Sequence, residues 1–255
     1  MRPFQALVLA GSRGGPDPLA EAAGVTHKAL IRLEGRTLLA RVVGALREAG
    51  ADRIAVSAVH PDVRREALVL GAEVLEAAAG PSASVEAGAA ALGTPLLVTT
   101  SDHALLRPEW IARFLADAPA DADVCALLAR RETVEAAVPT TQRTYLRLAD
   151  GHWSGCNLFY LATPEALGAV RLWRRVEAER KKPWRMAAIL GPGILAAFVL
   201  GRLTLIGAVA RLGRLAGVRA AAVATPYGLA AVDVDKVGDL ELVRKLVGEA
   251  QAADI

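Results

Sequence analysis

The sequence is short of several features that would each point to a function class. Only two of its 255 residues are cysteines, Cys125 and Cys156, which is too few for a disulfide framework and reads as reduced thiols in a cytosolic protein. It has no strong charge excess: 30 Lys and Arg against 27 Asp and Glu leave +3. The pI is near 9.1, but this balance excludes a dedicated nucleic-acid coat, and any basic function must be local. No long apolar run is present either. The longest stretch, Met186 to Gly201, holds 16 uncharged residues and is broken by Gly191-Pro192-Gly193, whereas a membrane-crossing helix needs about 20 apolar residues. The apolar segment at 6–10 is too short for a secretory signal, so the expectation is a cytoplasmic protein that makes no membrane crossing.

What is present is core-forming material. The chain is 53% hydrophobic and 22% charged, with mean hydropathy +0.33, which excludes intrinsic disorder and collagen-like repeats. A chain of this length buries about three quarters of its extended surface. Short apolar runs alternate with helical patterns, the signature of βαβ units around a mostly parallel sheet. Strands are expected at Leu7–Leu9, Ile54–Val59, Glu73–Leu75, Pro95–Thr100 and Asp123–Leu128, and helices at Thr37–Ala49, Pro61–Leu70, Ser84–Leu92 and Pro108–Ala116. In the first of these helices Leu38, Leu39, Val42, Val43 and Leu46 share one stripe, and Gly50 stands where a C-terminal cap belongs. The second half is less regular, with strands expected at Tyr145–Leu148, Leu158–Ala162, Gly217–Ala224 and Ala230–Val234, then a closing helix at Val237–Glu249. The economical reading is one domain over 1–255.

The first strand ends in Ala10-Gly11-Ser12-Arg13-Gly14-Gly15. Three glycines and a serine let successive backbone N–H groups turn toward an anion, as in a phosphate cradle, though an ordinary tight βα turn has the same residues. The loop matches neither G-x-G-x-x-G nor a P-loop. Lys28 in Thr26-His27-Lys28-Ala29-Leu30 and Arg13 offer cationic charge to phosphates; taken alone, a lone lysine is more often a solvated surface residue. Asp102 closes the strand at 95–100, where parallel sheets place ligands, and neighbouring His103 is given no role. Asp233 and Asp235 lie two apart near the C-terminus and would share one face of a strand.

In combination, Leu9-Ala10-Gly11 with Arg13, then Lys28-Ala29-Leu30 before Gly35-Arg36, resembles the opening of nucleotidyltransferases with the glycosyltransferase-A-like fold, the group that includes the molybdopterin guanylyltransferase-like proteins. His27 stands where that family usually has proline. Pro81-Ser82-Ala83-Ser84-Val85-Glu86-Ala87-Gly88 is similar to the stretch by which cytidylyltransferases of this fold approach the base, although Ser84 would also serve as a helix N-cap. The run from Val232 to Leu240 looks like the family's closing acidic motif, with Val237 in place of its proline. The resemblance implies a three-layer, Rossmann-like α/β fold and a Mg²⁺-dependent nucleotidyltransferase. In that reading Arg13 and Lys28 are catalytic. Ala10, Gly11, Ser12, Gly14, Gly15, Ser84 and Gly88 bind the nucleotide, CTP ahead of GTP. Asp102 and Asp235 hold the metal, with Asp233 as the alternative, and Asn157 and Lys182 face a phosphorylated small-molecule acceptor. On its residues alone, Asn157 reads first as a buried asparagine that satisfies a neighbouring loop, whereas the resemblance makes 1–130 the NTP-binding half and 131–255 the acceptor-binding half. The partners implied are the NTP and the acceptor, without nucleic acid.

Residues 171–185 carry seven basic residues, Arg171, Arg174, Arg175, Arg180, Lys181, Lys182 and Arg185, with Trp173 and Trp184 among them. The insertion at 171–215 therefore has three readings: a basic solvated face over a buried helix, a clamp for a phosphorylated acceptor, or a peripheral contact with the inner face of a membrane. Two functional alternatives stand beside the transferase. One is a glycosyltransferase of the same fold, although Ser101-Asp102-His103 lacks the usual Asp-x-Asp. The other is a membrane-surface nucleotide-binding module without catalysis.

Overall fold

The computed structural model describes residues 3–12, 15, 17–139, 143–179, 189 and 191–253. The strands are β1 (Phe4–Leu9), β2 (Arg32–Leu33), β3 (Arg36–Thr37), β4 (Ala51–Ser57), β5 (Glu73–Leu75), β6 (Leu96–Thr100), β7 (Val124–Arg130), β8 (Leu146–Leu148), β9 (Gly151–Leu161) and β10 (Ala220–Thr225). The helices are α1 (Pro18–Ala22), α2 (Leu38–Glu48), α3 (Pro61–Val69), α4 (Pro81–Leu92), α5 (Pro108–Asp117), α6 (Arg131–Ala137), α7 (Leu167–Ala178), α8 (Pro192–Val199), α9 (Leu205–Ala216) and α10 (Val237–Ala253). Eight strands form one sheet in the order β10-β7-β9-β6-β1-β4-β5, with β8 pairing with β9 off this path. All pairings along the path are parallel except those of β9, which runs antiparallel between β6 and β7. The fold is therefore α/β with a mostly parallel central sheet covered on both faces.

β1 is buried on both sides, as a central parallel strand must be. Phe4, Ala6 and Val8 pack with α2 and α10, while Leu7 packs with Val85, Ala89 and Leu92 of α4. Gly88 of α4 lies against Leu7, and a Cβ there would clash with the leucine methyls; the missing side chain is what lets this helix approach the strand. α2 begins where expected, with Thr37 Oγ1 accepting from Ala40 N at 3.0 Å, and Gly50 takes the left-handed turn after it (φ 81°).

From β1 the chain crosses to β4 and β5 on one side, then returns through α4 to β6 on the other side of β1. The chain thus leaves β1 and β6 toward opposite edges of the sheet, and the carboxyl ends of these two strands form the crevice where such sheets bind ligands.

Two expectations are corrected. No strand forms at 230–234: Gly228–Ala231 is a 3₁₀ turn followed by irregular chain, tied to the sheet edge by Val234 N donating to Asp102 O at 3.1 Å. α4 begins three residues before Ser84, with Pro81 in its first turn and Gly80 at the cap. Of the apolar run at 186–201, residues 186–188 and 190 lie outside the described residues. Gly191, at φ 86°, precedes α8, whose eight residues are far short of a membrane crossing. Among the described residues no helix is long and apolar enough to cross a membrane.

Candidate active site

The crevice gathers residues from four distant parts of the chain. β1 leads into Ala10, which is buried, and then into Gly11 and Ser12, which are exposed. Gly15 is left-handed (φ 91°) with open space around it, and Gly11 faces Ala77 of the β5–α4 connection. Arg13 and Gly14 lie outside the described residues, as does Lys182.

Lys28 is held in a 3₁₀ turn at 28–30 whose cap is His27: the Nδ1 of this buried histidine accepts from Ala29 N at 3.1 Å. Burial is the main reason that the His27 pKa lies below the usual histidine value, with repulsion from His60 next; a neutral ring is the form whose Nδ1 can accept. From that turn Lys28 Nζ reaches Asp102 Oδ2 at 2.5 Å and Asp235 Oδ1 at 3.1 Å. One ammonium therefore bridges two carboxylates that are far apart in the chain.

Asp102 is buried and Asp235 is largely exposed. Burial, the strongest single influence on Asp102, pushes its carboxyl up, but the charge and hydrogen bond of Lys28 outweigh it and hold the group below the usual aspartate range. The same partners raise Lys28 above the ordinary lysine value despite its own desolvation. The second oxygen of Asp102, Oδ1, is buried beside Thr100 Oγ1, which also helps to hold the carboxyl down, and among the described residues neither atom makes a hydrogen bond of full geometry. A buried acceptor left unpaired costs about 1–3 kcal/mol, so this oxygen is available to a ligand.

Asp233 has other partners. Its Oδ1 accepts from Arg143 Nη2 and its Oδ2 accepts from Asn157 Nδ2 at 2.6 Å. The expected common face for Asp233 and Asp235 does not form because the segment is not a strand. One carboxylate turns toward Arg143 and β9, the other toward Lys28. Asn157 adopts φ 48° in β9, beside the irregular pairing with β7, a conformation that asparagine tolerates better than most residues. Arg143 escaped the sequence reading: it sits in no motif, and nothing in Thr140-Thr141-Gln142-Arg143 marks it. Asp239, in the first turn of α10, accepts from Lys236 N at 3.0 Å and Asp235 N at 3.3 Å, which fixes the backbone that carries Asp235.

The net direction for Asp233 is upward, with burial the largest cause and Arg143 opposing it. A carboxyl raised in the fold stabilises below its unfolded pKa, and that contribution is lost as pH rises through the folded value. Removing Arg143 takes away the main counter-charge, so Arg143→Met is expected to cost about 3 kcal/mol near neutral pH and progressively less as acid protonates Asp233. Urea denaturation as a function of pH checks this; a cost that does not depend on pH contradicts it.

Ser84 is buried, and its Oγ accepts from Ala78 N at 3.0 Å. It thus pins the connection that faces Gly11 and does not cap α4. Gly88 is placed in the core under β1. His103 is fully buried and pushed down to about 4 by desolvation, so it is neutral at physiological pH.

The donor set suits a hard cation. Mg²⁺ takes oxygen ligands and commonly uses one or two protein carboxylates, completing its shell with water and substrate phosphate. The unpartnered Asp102 Oδ1 and the exposed Asp235 carboxylate are such oxygens. Among the described residues there is no cluster of three or more His, Cys, Asp or Glu that would make an all-protein cage.

Comparison with known proteins agrees with this fold. A family model described as the MobA-like NTP transferase domain matches residues 6–181. A solved structure described as a hypothetical transferase from Thermus thermophilus is 36% identical, with TM-score 0.81, covering 94% of this chain and 100% of its own. A nucleotidyl transferase from Methanothermobacter shares the fold at 20% identity and TM-score 0.57, covering 96% of this chain and 98% of its own. So does a 2-C-methyl-D-erythritol 4-phosphate cytidylyltransferase, also from Thermus thermophilus, at 18% identity and TM-score 0.52, covering 96% and 99%. No curated protein matches the sequence.

Proposed function

The chain belongs to the MobA-like NTP transferase domain family and is a nucleotidyltransferase, and from that premise we propose that it transfers a nucleoside monophosphate from CTP, with GTP the second candidate, to a phosphorylated small-molecule acceptor in a Mg²⁺-dependent reaction. The observation that carries this reading is the meeting of Lys28, Asp102 and Asp235 at the carboxyl ends of β1 and β6, with one oxygen of Asp102 left without a full hydrogen bond among the described residues.

An acceptor oxygen forms a new bond to the α-phosphorus, the bond from that phosphorus to the β-phosphate bridging oxygen breaks, and pyrophosphate leaves with the electron pair. A phosphate dianion as acceptor has no proton to lose, so no general base is needed. The protein then has mainly to position the reactants and balance charge. Backbone N–H groups of Gly11, Ser12 and Gly15 face the phosphates, and Lys28, an ammonium at any physiological pH, offsets charge on the α-phosphate and the leaving group. Asp102 and Asp235 would hold Mg²⁺, which when bound supplies Lewis-acid polarisation of the α-phosphate. Without nucleotide, Lys28 offsets part of the charge of the two carboxylates and holds them in place.

Support for CTP comes from the stretch around Ser84 and from a fold relative named as a cytidylyltransferase. Because Ser84 is buried, its influence on the base would run through the backbone of the 76–80 connection that it holds. Asn157, bonded to Asp233, would set the wall facing the acceptor. The test is pyrophosphate release from the purified protein with Mg²⁺, each of the four NTPs, and a panel of phosphorylated sugars, cyclitols and cofactor precursors. Release with CTP and one acceptor class is expected; no release with any combination refutes the reading.

A further inference from the structure

We infer that α8 and the start of α9 form a docking surface for an anionic phospholipid bilayer, on which the protein lies without crossing. Every residue of α8, Pro-Gly-Ile-Leu-Ala-Ala-Phe-Val, is apolar, yet the helix is not buried. Leu195 is 46% exposed, Phe198 50%, Val199 75%, and Ile206 on α9 76%. A helix that is apolar all round belongs in a protein core or in lipid, and a contiguous exposed apolar patch marks a contact surface. α8 itself is therefore not a buried helix under a basic solvated face, one of the readings of 171–215.

Charge selects the partner. The sequence contains no Asp or Glu from 180 through 232, while it holds Arg180, Lys181, Lys182, Arg185, Arg202, Arg211 and Arg214, besides Arg219, which is paired with Asp123. Within the described part, Arg202 comes three residues after α8, and Arg211 on α9 reaches across to Gly193 O at 2.9 Å. Arg211 and Arg214, one turn apart, line a cavity of about 290 Å³ between the two helices together with Ile194 and Leu215. Apolar side chains beside arginines match a bilayer interface, where the former enter the acyl boundary and the latter meet lipid phosphates. A second copy of this chain would instead set the same arginines against one another across a symmetric contact. The platform is firm: Leu205 is buried beside Trp153 and Leu128, its N–H is held by both Asp150 carboxylate oxygens, and Thr204 caps α9 at Gly207 N. None of these residues belongs to the crevice around Lys28, so the surface stands independently of the proposed chemistry.

The test is vesicle flotation of the full chain at low salt. Vesicles of equal parts phosphatidylglycerol and phosphatidylcholine should carry the protein up the gradient, and phosphatidylcholine alone should not. Neutralising both arginines (Arg211→Gln with Arg214→Gln) should weaken partitioning about 30-fold, and Phe198→Glu with Val199→Glu should abolish it. Both variants should keep their circular dichroism spectrum and pyrophosphate release, which separates loss of docking from loss of fold. Absence of flotation on the anionic vesicles, or equal flotation on both compositions, overturns the inference. So does a dimer in sedimentation that Val199→Glu dissolves, because the face would then belong to a second copy.

Discussion

Asp102→Asn should lower pyrophosphate release at least about a thousandfold while the protein stays folded. The asparagine keeps the volume of a side chain that is almost wholly buried and keeps an oxygen that can accept from Lys28, so packing and the Lys28–Asp235 contact survive. What disappears is the negative charge at the end of β6 and the hard anionic oxygen, Oδ1, that makes no full hydrogen bond among the described residues. A role in charge positioning is thus separated from a role in holding the fold. Rate measurements at saturating nucleotide together with a thermal melt check the result: near-normal turnover would remove Asp102 from the chemistry, whereas a collapsed melt would make it a structural residue.

Lys28→Met is expected to damage both activity and stability. Catalysis should fall by about two to three orders of magnitude, the size of effect seen when one preorganised donor to developing charge is removed. For stability the sign follows from the two shifts. In the wild type the lowered Asp102 carboxyl contributes stability that is present above its unfolded pKa and lost as pH falls through the folded one. The raised Lys28 contributes stability that is present below its unfolded pKa and lost as pH rises through the folded one. The pair therefore supports the fold across the whole neutral range. Without the ammonium, burial governs Asp102 and its carboxyl moves above the usual range, so its contribution reverses and the variant becomes relatively more stable in acid. Breaking a largely buried pair costs about 3–5 kcal/mol, and the exposure of Asp235 places the expected loss near pH 7 at about 3 kcal/mol. Urea titrations at several pH values check this. A variant whose deficit is the same at acid and neutral pH would show that Lys28 does not govern Asp102.

The parts of the site legible in the sequence are those that follow a strand closely. Asp102 comes two residues after β6, and Gly11 and Ser12 come directly after Ala10 at the end of β1, so knowing the strand is enough to place them. Lys28 was legible only in company with the glycine turn, because a single lysine carries no periodic signal. Arg143 was invisible: its partner Asp233 lies 90 positions away, and no local pattern connects them. Asn157 was singled out in the sequence, but its bond to Asp233 and its left-handed backbone, which arises where β9 passes irregularly beside β7, were not legible there.

Alternating apolar periods, the Thr37 cap, the glycine after α2 and the proline in the first turn of α5 settle most helices and strands, because these depend on neighbours within a few residues. The strand order is another matter. That β9 runs antiparallel between β6 and β7, that the 232–236 segment is irregular chain bonded to the Asp102 carbonyl, and that Asp235 and not Asp233 turns to Lys28 all depend on contacts between residues far apart in the chain. So does the exposure of α8, whose composition alone suits a core helix equally well. Local propensity acts over a turn or two of chain, whereas the partner of a carboxylate and the covering of an apolar face depend on how remote elements pack.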